Sequence, residues 1–104
     1  MINTIIVYVP CKSRAEAAKI AKALLQKKLV ACANVLQSSS FFRWKNKLVA
    51  DKEAILLLKT RKSLQKKVER EILHLHSYEL PCILAFSGKA NKRFEQWIEE
   101  ETLE

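Results

Sequence analysis

Apolar runs alternate with amphipathic stretches along this chain, and the alternation predicts its elements. Ile5-Ile6-Val7-Tyr8-Val9 is an unbroken run of β-formers, the pattern of a central strand covered on both faces. Ser13-Arg14-Ala15-Glu16 reads as a capping box: the Ser13 hydroxyl accepts from the Glu16 amide, and the Glu16 carboxylate reaches back to the Ser13 amide. Ala17, Ile20, Ala21, Leu24 and Leu25 follow at helical spacing, with Lys19, Lys22, Gln26 and Lys27 between them. Val30 to Leu36 begins a second strand. Ser38-Ser39-Ser40 predicts a bulge or bend in it, and Phe41-Phe42-Arg43-Trp44 restores strand character. Lys45-Asn46-Lys47 is a polar turn, since Asn tolerates the left-handed backbone of tight turns. Leu48 to Lys59 is the return strand. Leu64, Val68, Ile72 and Leu75 mark a second helix, starting near Thr60 or Ser63, that Pro81 forbids from continuing. Cys82 to Phe86 is the last strand, ended by Ser87-Gly88. Phe94, Trp97 and Ile98 mark a terminal helix capped by Asn91.

The order strand, helix, strand, strand, helix, strand predicts a ferredoxin-like α/β sandwich, βαββαβ. It has one antiparallel sheet in the order 4-1-3-2 and both main helices on one face, because right-handed crossovers must leave room for each helix. Residues 1–104 make one domain. The hairpin formed by the second strand and its return strand is long for this size. Such a ribbon needs cover, and another subunit is the simplest source.

Composition agrees with a packed domain: 49% hydrophobic residues, one Gly and two Pro. No stretch approaches the ~20 apolar residues of a membrane span. Met1 to Val9 lacks a basic n-region and a small-residue cleavage site, so it reads as a strand and not a signal peptide. The net charge is +8 and lopsided. Residues 1–52 hold ten Lys/Arg against Glu16 and Asp51, whereas residues 53–104 hold nine of each sign. A basic half can attract nucleic acid or anionic metabolites. The competing reading is a solvated, Lys-rich surface, since no Gly-rich loop is present to cradle a phosphate. Three cysteines with no C-x-x-C pair support neither a zinc knuckle nor a dithiol motif, and point to the reducing cytoplasm.

In the predicted topology the end of strand 1 meets the start of strand 4. Cys11, Cys82, His76, Tyr78 and Glu79 then gather at one sheet edge. Thiolate with imidazole suits Cu(I), Cu(II) or Zn(II), and the Glu79 carboxylate adds a harder donor. Each thiol can equally be small apolar filler, and His76 can equally fix its loop by a hydrogen bond. Cys32 begins strand 2 at the opposite end of the sheet, and joins the cluster only if a neighbouring subunit brings it there. His74 closes the second helix, where a cation complements the helix dipole. Phe42 and Trp44 share a strand face, and Phe94 and Trp97 a helix face, as core or interface anchors. No nucleophile with a base, no nucleotide loop and no paired acids on a helix face are evident, so an enzyme is not expected.

At these residues the chain closely resembles the CutA family of divalent-cation-tolerance proteins, over nearly its whole length. The resemblance rests on Ala31-Cys32-Ala33-Asn34, Phe42-Arg43-Trp44 with Lys47, Lys59-Thr60-Arg61, His76-x-Tyr78-Glu79-x-Pro81, and the pair Phe94 and Trp97. It implies a ferredoxin-like protomer in a tight homotrimer whose hairpins extend the sheets between subunits. It also implies an architecture like that of the PII signalling proteins, and a link to tolerance of copper and other divalent ions. His76 matches a histidine used in family copper binding. The neighbouring histidine of some members is Leu75 here, a first-strand cysteine of some members is Val9, and the family's turn glycine is Asn46. The leading expectation is a non-enzymatic, trimeric, cytoplasmic protein binding copper or another divalent cation near His76 and Glu79, with Cys11, Cys82 and Cys32 as further donors. The rival is a regulatory module whose intersubunit cleft takes an anionic metabolite or protein tail, drawn by Arg43, Lys45, Lys47 and Lys59. RNA binding is a third reading, disfavoured because no aromatic sheet-face signature is evident.

Overall fold

The fold follows from one antiparallel sheet whose central strands have no solvent-facing edge. The computed structural model describes residues 2–103, so Met1, where the first apolar stretch begins, lies outside the described residues. The elements are β1 (Thr4–Cys11), α1 (Arg14–Gln26), β2 (Cys32–Trp44), β3 (Lys47–Arg61), α2 (Gln65–Leu75), β4 (Leu84–Gly88) and α3 (Lys92–Glu101). The sheet order is β2-β3-β1-β4, with every neighbouring pair antiparallel, as the split βαβ reading predicts.

Alternation on the strands builds the core. Ile5, Val7, Val9 and Cys11 of β1 lie opposite Thr60, Leu58, Leu56 and Ala54 of β3, and all are buried. Ala17, Ile20, Ala21 and Leu24 of α1 and Val68 and Ile72 of α2 close over that face. Lys27, which caps the C-terminus of α1, forms an ion pair at 2.6 Å with Glu71 of α2. α3 caps one end of the opposite face. There the Arg61 guanidinium donates to the Thr102 hydroxyl at 2.9 Å, and the Thr4 hydroxyl donates to Glu95 at 3.1 Å. No helix among the described residues is long and apolar enough to cross a membrane.

Local details depart from the sequence reading at four places. Ser38-Ser39-Ser40 neither bulges nor bends: each serine keeps its partner, Glu53, Lys52 and Asp51 in turn. A complete backbone ladder outweighs the weak strand preference of serine. Thr60 stays in β3, where its hydroxyl donates to the Leu29 carbonyl at 2.7 Å. α2 therefore starts later, after a 3-10 turn over Lys62–Leu64. β4 begins at Leu84 and not at Cys82, because its ladder to β1 ends at Tyr8↔Leu84. Finally, the Ser13 hydroxyl does accept from the Glu16 amide at 3.1 Å. The Glu16 carboxylate, however, takes the Lys12 amide at 3.0 Å and not that of Ser13.

The hairpin closes in two residues. Trp44 pairs with Lys47, and Lys45 and Asn46 both have positive φ, 48° and 66°. Two consecutive left-handed residues make the mirror-image turn whose twist matches that of the strands. The ribbon reaches past the helices, which leaves Phe41 80% and Leu48 81% exposed.

Candidate functional site

Three elements bring their ends together beside the last residue of β1. Cys11 terminates the strand, Glu16 lies on the first turn of α1, and His76 follows α2 directly. One donor atom from each lies within 4.8 Å of the other two. Cys11 and Glu16 are buried and His76 is half-buried.

Hydrogen bonds set the resting state of this cluster. The Tyr78 amide donates to His76 Nδ1 at 3.1 Å, which leaves Nε2 as the donating ring nitrogen. Nε2 in turn donates to the Pro10 carbonyl at 2.8 Å. The Glu16 carboxylate accepts on both oxygens: from Lys12 as above, and from the Ser77 amide at 2.9 Å. Burial pushes the Glu16 carboxyl upward, but the bonds from Ser77 and Lys12, together with the field of His76, outweigh it and hold the group below its usual range. The Cys11 thiol donates to the Val9 carbonyl at 3.6 Å. Burial first, then the charges of Glu16 and Glu53, push its pKa up to about 12. The cluster at rest therefore holds a protonated thiol and an anionic carboxylate beside the His76 ring, and its hydrogen bonds clasp the α2–β4 loop to the end of β1.

On the other side of Pro10 the sheet opens into a cavity of about 610 Å³ at the base of the hairpin. Phe42, Trp44, Asp51 and Glu53 line it from the ribbon, and Tyr78, Glu79, Leu80 and Cys82 from the loop. The Tyr78 hydroxyl donates to Glu53 Oε2 at 2.6 Å. Burial, then Glu53, then the fields of Asp51 and Glu16 hold the phenol above its ordinary range. The rings of His76 and Tyr78 are 4.8 Å apart, so cluster and cavity share a wall.

The candidate donors thus divide into three places. Cys11 and His76 meet, with Glu16 as their third member. Glu79 and Cys82 are exposed on the cavity wall. Cys32 pairs with Lys59, five residues along β3 from the Ala54 that faces Cys11, a separation of roughly 17 Å at strand rise. Of the basic candidates, Arg43, Lys45 and Lys47 are exposed at the hairpin end. The Lys59 ammonium donates to Asn34 at 3.0 Å and sits 5.9 Å from the Phe94 ring. Glu16 was hidden within its own capping signal. The one local hint at the cavity was Asp51 and Glu53, two acids on alternate residues beside an apolar run, hence on one strand face.

Comparison with known proteins agrees with this architecture. Residues 5–101 match the family model described as CutA1 divalent ion tolerance protein. The chain is 41% identical over 95 residues to the divalent-cation tolerance protein CutA of Archaeoglobus fulgidus, covering 90% of this chain and 93% of that one. Among solved structures, the divalent ion tolerance protein CutA1 of Ehrlichia chaffeensis superposes with a TM-score of 0.94 at 30% identity, over 99% of this chain and 98% of that one. The Archaeoglobus fulgidus structure, described as a periplasmic divalent cation tolerance protein CutA, gives 0.92 at 39% identity, over 94% and 97%. By sequence and by fold, this chain belongs to the CutA1 divalent ion tolerance family.

Proposed function

We propose that this chain serves divalent-cation tolerance by binding copper or another divalent cation, without catalysis, as a homotrimer in the cytoplasm. One observation carries the reading: thiol, imidazole and carboxylate donors converge within 4.8 Å at Cys11, Glu16 and His76. That donor set fits borderline and soft ions such as copper and zinc. Glu79 and Cys82 stand on the adjoining cavity wall as further donors. Cys32 would be added only across a subunit boundary. Uptake must displace the Cys11 proton and one of the bonds that hold His76, so affinity rises with pH and binding releases protons.

The trimer is supported by an uncovered sheet face. Leu36, Phe42, Trp44, Leu84 and Phe86 are all exposed on the side away from α1 and α2, and apolar patches of this kind mark association surfaces. The cytoplasmic assignment rests on three free cysteines, which suit a reducing compartment. The test is calorimetric titration of the reduced, metal-free protein with Cu(II), Cu(I) and Zn(II), with its mass measured by light scattering. Tight binding at a fixed ratio per subunit of a trimer is expected, and weaker binding in Cys11→Ala and His76→Ala. Affinity unchanged in both variants would overturn the site.

A further inference from the structure

We infer that the outer surface of the helix layer is a docking site for inorganic polyphosphate, a linear polyanion without bases. Charge is segregated in this fold. Residues 14–28 and 62–75, which hold α1, α2 and their flanks, carry nine Lys/Arg against three acids, a net of +6. All other residues carry ten against eight, a net of +2. Even the three acids offset little at the surface. Glu16 is buried and holds two backbone amides, and Glu71 pairs with Lys27. Glu69 alone is exposed with no ion pair among the described residues.

The helices order the cations. Ala17, Ile20, Ala21 and Leu24 turn one side of α1 to the core, which sets Lys19 and Lys22 on the opposite side. Val68 and Ile72 do the same for Lys66 and Arg70 on α2. All four cations are exposed. Within each pair the side chains stand one helical turn apart, a spacing at which like charges repel. The Lys27–Glu71 pair holds the two helices side by side. Both basic pairs therefore border one furrow, between axes roughly 8–10 Å apart. Lys66 and Lys67 also lie in the first turn of α2, which holds no acid and has no side-chain cap. There the helix dipole disfavours a cation and favours an anion. A polyanion lying along the furrow relieves both repulsions.

The same surface selects its occupant. No Phe, Tyr or Trp occurs in residues 14–28 or 62–75, so single-stranded nucleic acid finds no platform on which to stack its bases. A duplex is far wider than the furrow. Seven of the nine cations are lysines, which meet phosphate as point charges and not as base-reading forks. Leu25 and Leu73 are exposed, but each stands two residues, about 200° of helix, from Lys27 and Glu71. They lie on the flanks away from the furrow, so no apolar stripe runs among the cations for a bilayer to take up. A chain of phosphates, unlike a single one, needs no Gly-rich cradle, because it engages many weak contacts at once. The surface also stays open on assembly, since the apolar patch assigned to association lies on the sheet face away from α1 and α2. No donor of the metal cluster takes part, so this site and that one stand or fall separately.

The test titrates the metal-free, full-length protein into end-labelled inorganic polyphosphate of several dozen units and follows fluorescence anisotropy. Saturable binding is expected, weakened about tenfold or more by a fourfold rise in salt. It should also weaken about tenfold or more in Lys19→Glu/Lys22→Glu and in Lys66→Glu/Arg70→Glu. The double variant Lys89→Glu/Lys92→Glu alters net charge equally at exposed positions outside the layer, and should keep its affinity within about threefold. Circular dichroism confirms that each variant is folded, and the milder Lys66→Gln/Arg70→Gln should show an intermediate loss. Duplex DNA and phosphatidylserine vesicles at matched phosphate concentration should bind more weakly. No saturable binding, full affinity in either helix variant, or an equal loss in Lys89→Glu/Lys92→Glu would overturn the proposal. Binding to duplex or vesicles as tight as to polyphosphate would overturn it too, and would give the surface to that partner.

Discussion

Replacing Glu16 by Gln tests whether the clasp around His76 depends on a charged carboxylate. Glu16 accepts from two backbone amides on two different segments, Lys12 at 3.0 Å and Ser77 at 2.9 Å, and it is buried. Glutamine has nearly the same shape but only one accepting group. One amide would keep a neutral partner in place of a charged one, a loss of about 1 kcal/mol. The other amide would face an NH₂ donor and lose its bond, which costs a further ~1–3 kcal/mol for the unpaired donor. The expected destabilisation of Glu16→Gln is therefore about 2–4 kcal/mol near neutral pH. The pH dependence is an independent readout. The Glu16 pKa is lower folded than unfolded. Its contribution is therefore fully present above the ordinary carboxylate range and is lost as pH falls through the folded value. Gln cannot titrate, so the gap between the two proteins should shrink in acid. Guanidinium unfolding followed by circular dichroism would measure it, at pH 7 and at about pH 3, with protomer concentration fixed because association shifts apparent stability. A gap below about 0.5 kcal/mol at neutral pH, or one that does not narrow in acid, would refute the argument.

Three further outcomes are expected. Ser13→Ala removes the side-chain acceptor of the Glu16 amide at the start of α1 and should cost about 1 kcal/mol in the same unfolding assay. Lys45→Asn places a residue tolerant of positive φ at a position with φ 48° and should stabilise the hairpin by a few tenths to ~1 kcal/mol; a loss of stability would contradict the turn geometry. Time-resolved alkylation read by mass spectrometry should modify exposed Cys82 first and Cys11 last, because Cys11 is buried and its pKa is pushed up to about 12. Early modification of Cys11 in the folded protein would count against the closed state of the cluster.

The fold was legible because its signals are local and periodic. The apolar run of β1, the 3.6-residue recurrence in α1 and α2, and the placement of Ser13, Asn46 and Pro81 together determine the number, type and order of elements. Order then determines topology, since right-handed crossovers leave only one comfortable arrangement of two split βαβ units. The limits of elements were less legible. The three serines of β2 and the Thr60 end of β3 are held by partners on other strands and loops, which local preference does not encode.

The candidate site was only half legible. Chain order alone placed Cys11 near His76, because strand 1 must end where the α2–β4 loop passes. Which third donor completes the cluster depended on a rotamer and a backbone turn. Glu16 reaches out of its helix to Lys12 and Ser77, and its local spacing spoke only of a cap. The acidic cavity was less visible still, because it is assembled from a hairpin and a loop separated by the whole of α2. Sequence determines what repeats along the chain, because periodicity and capping are properties of neighbours. Burial, protonation and the meeting of Asp51, Glu53 and Tyr78 are properties of groups distant in sequence, and tertiary structure alone decides them.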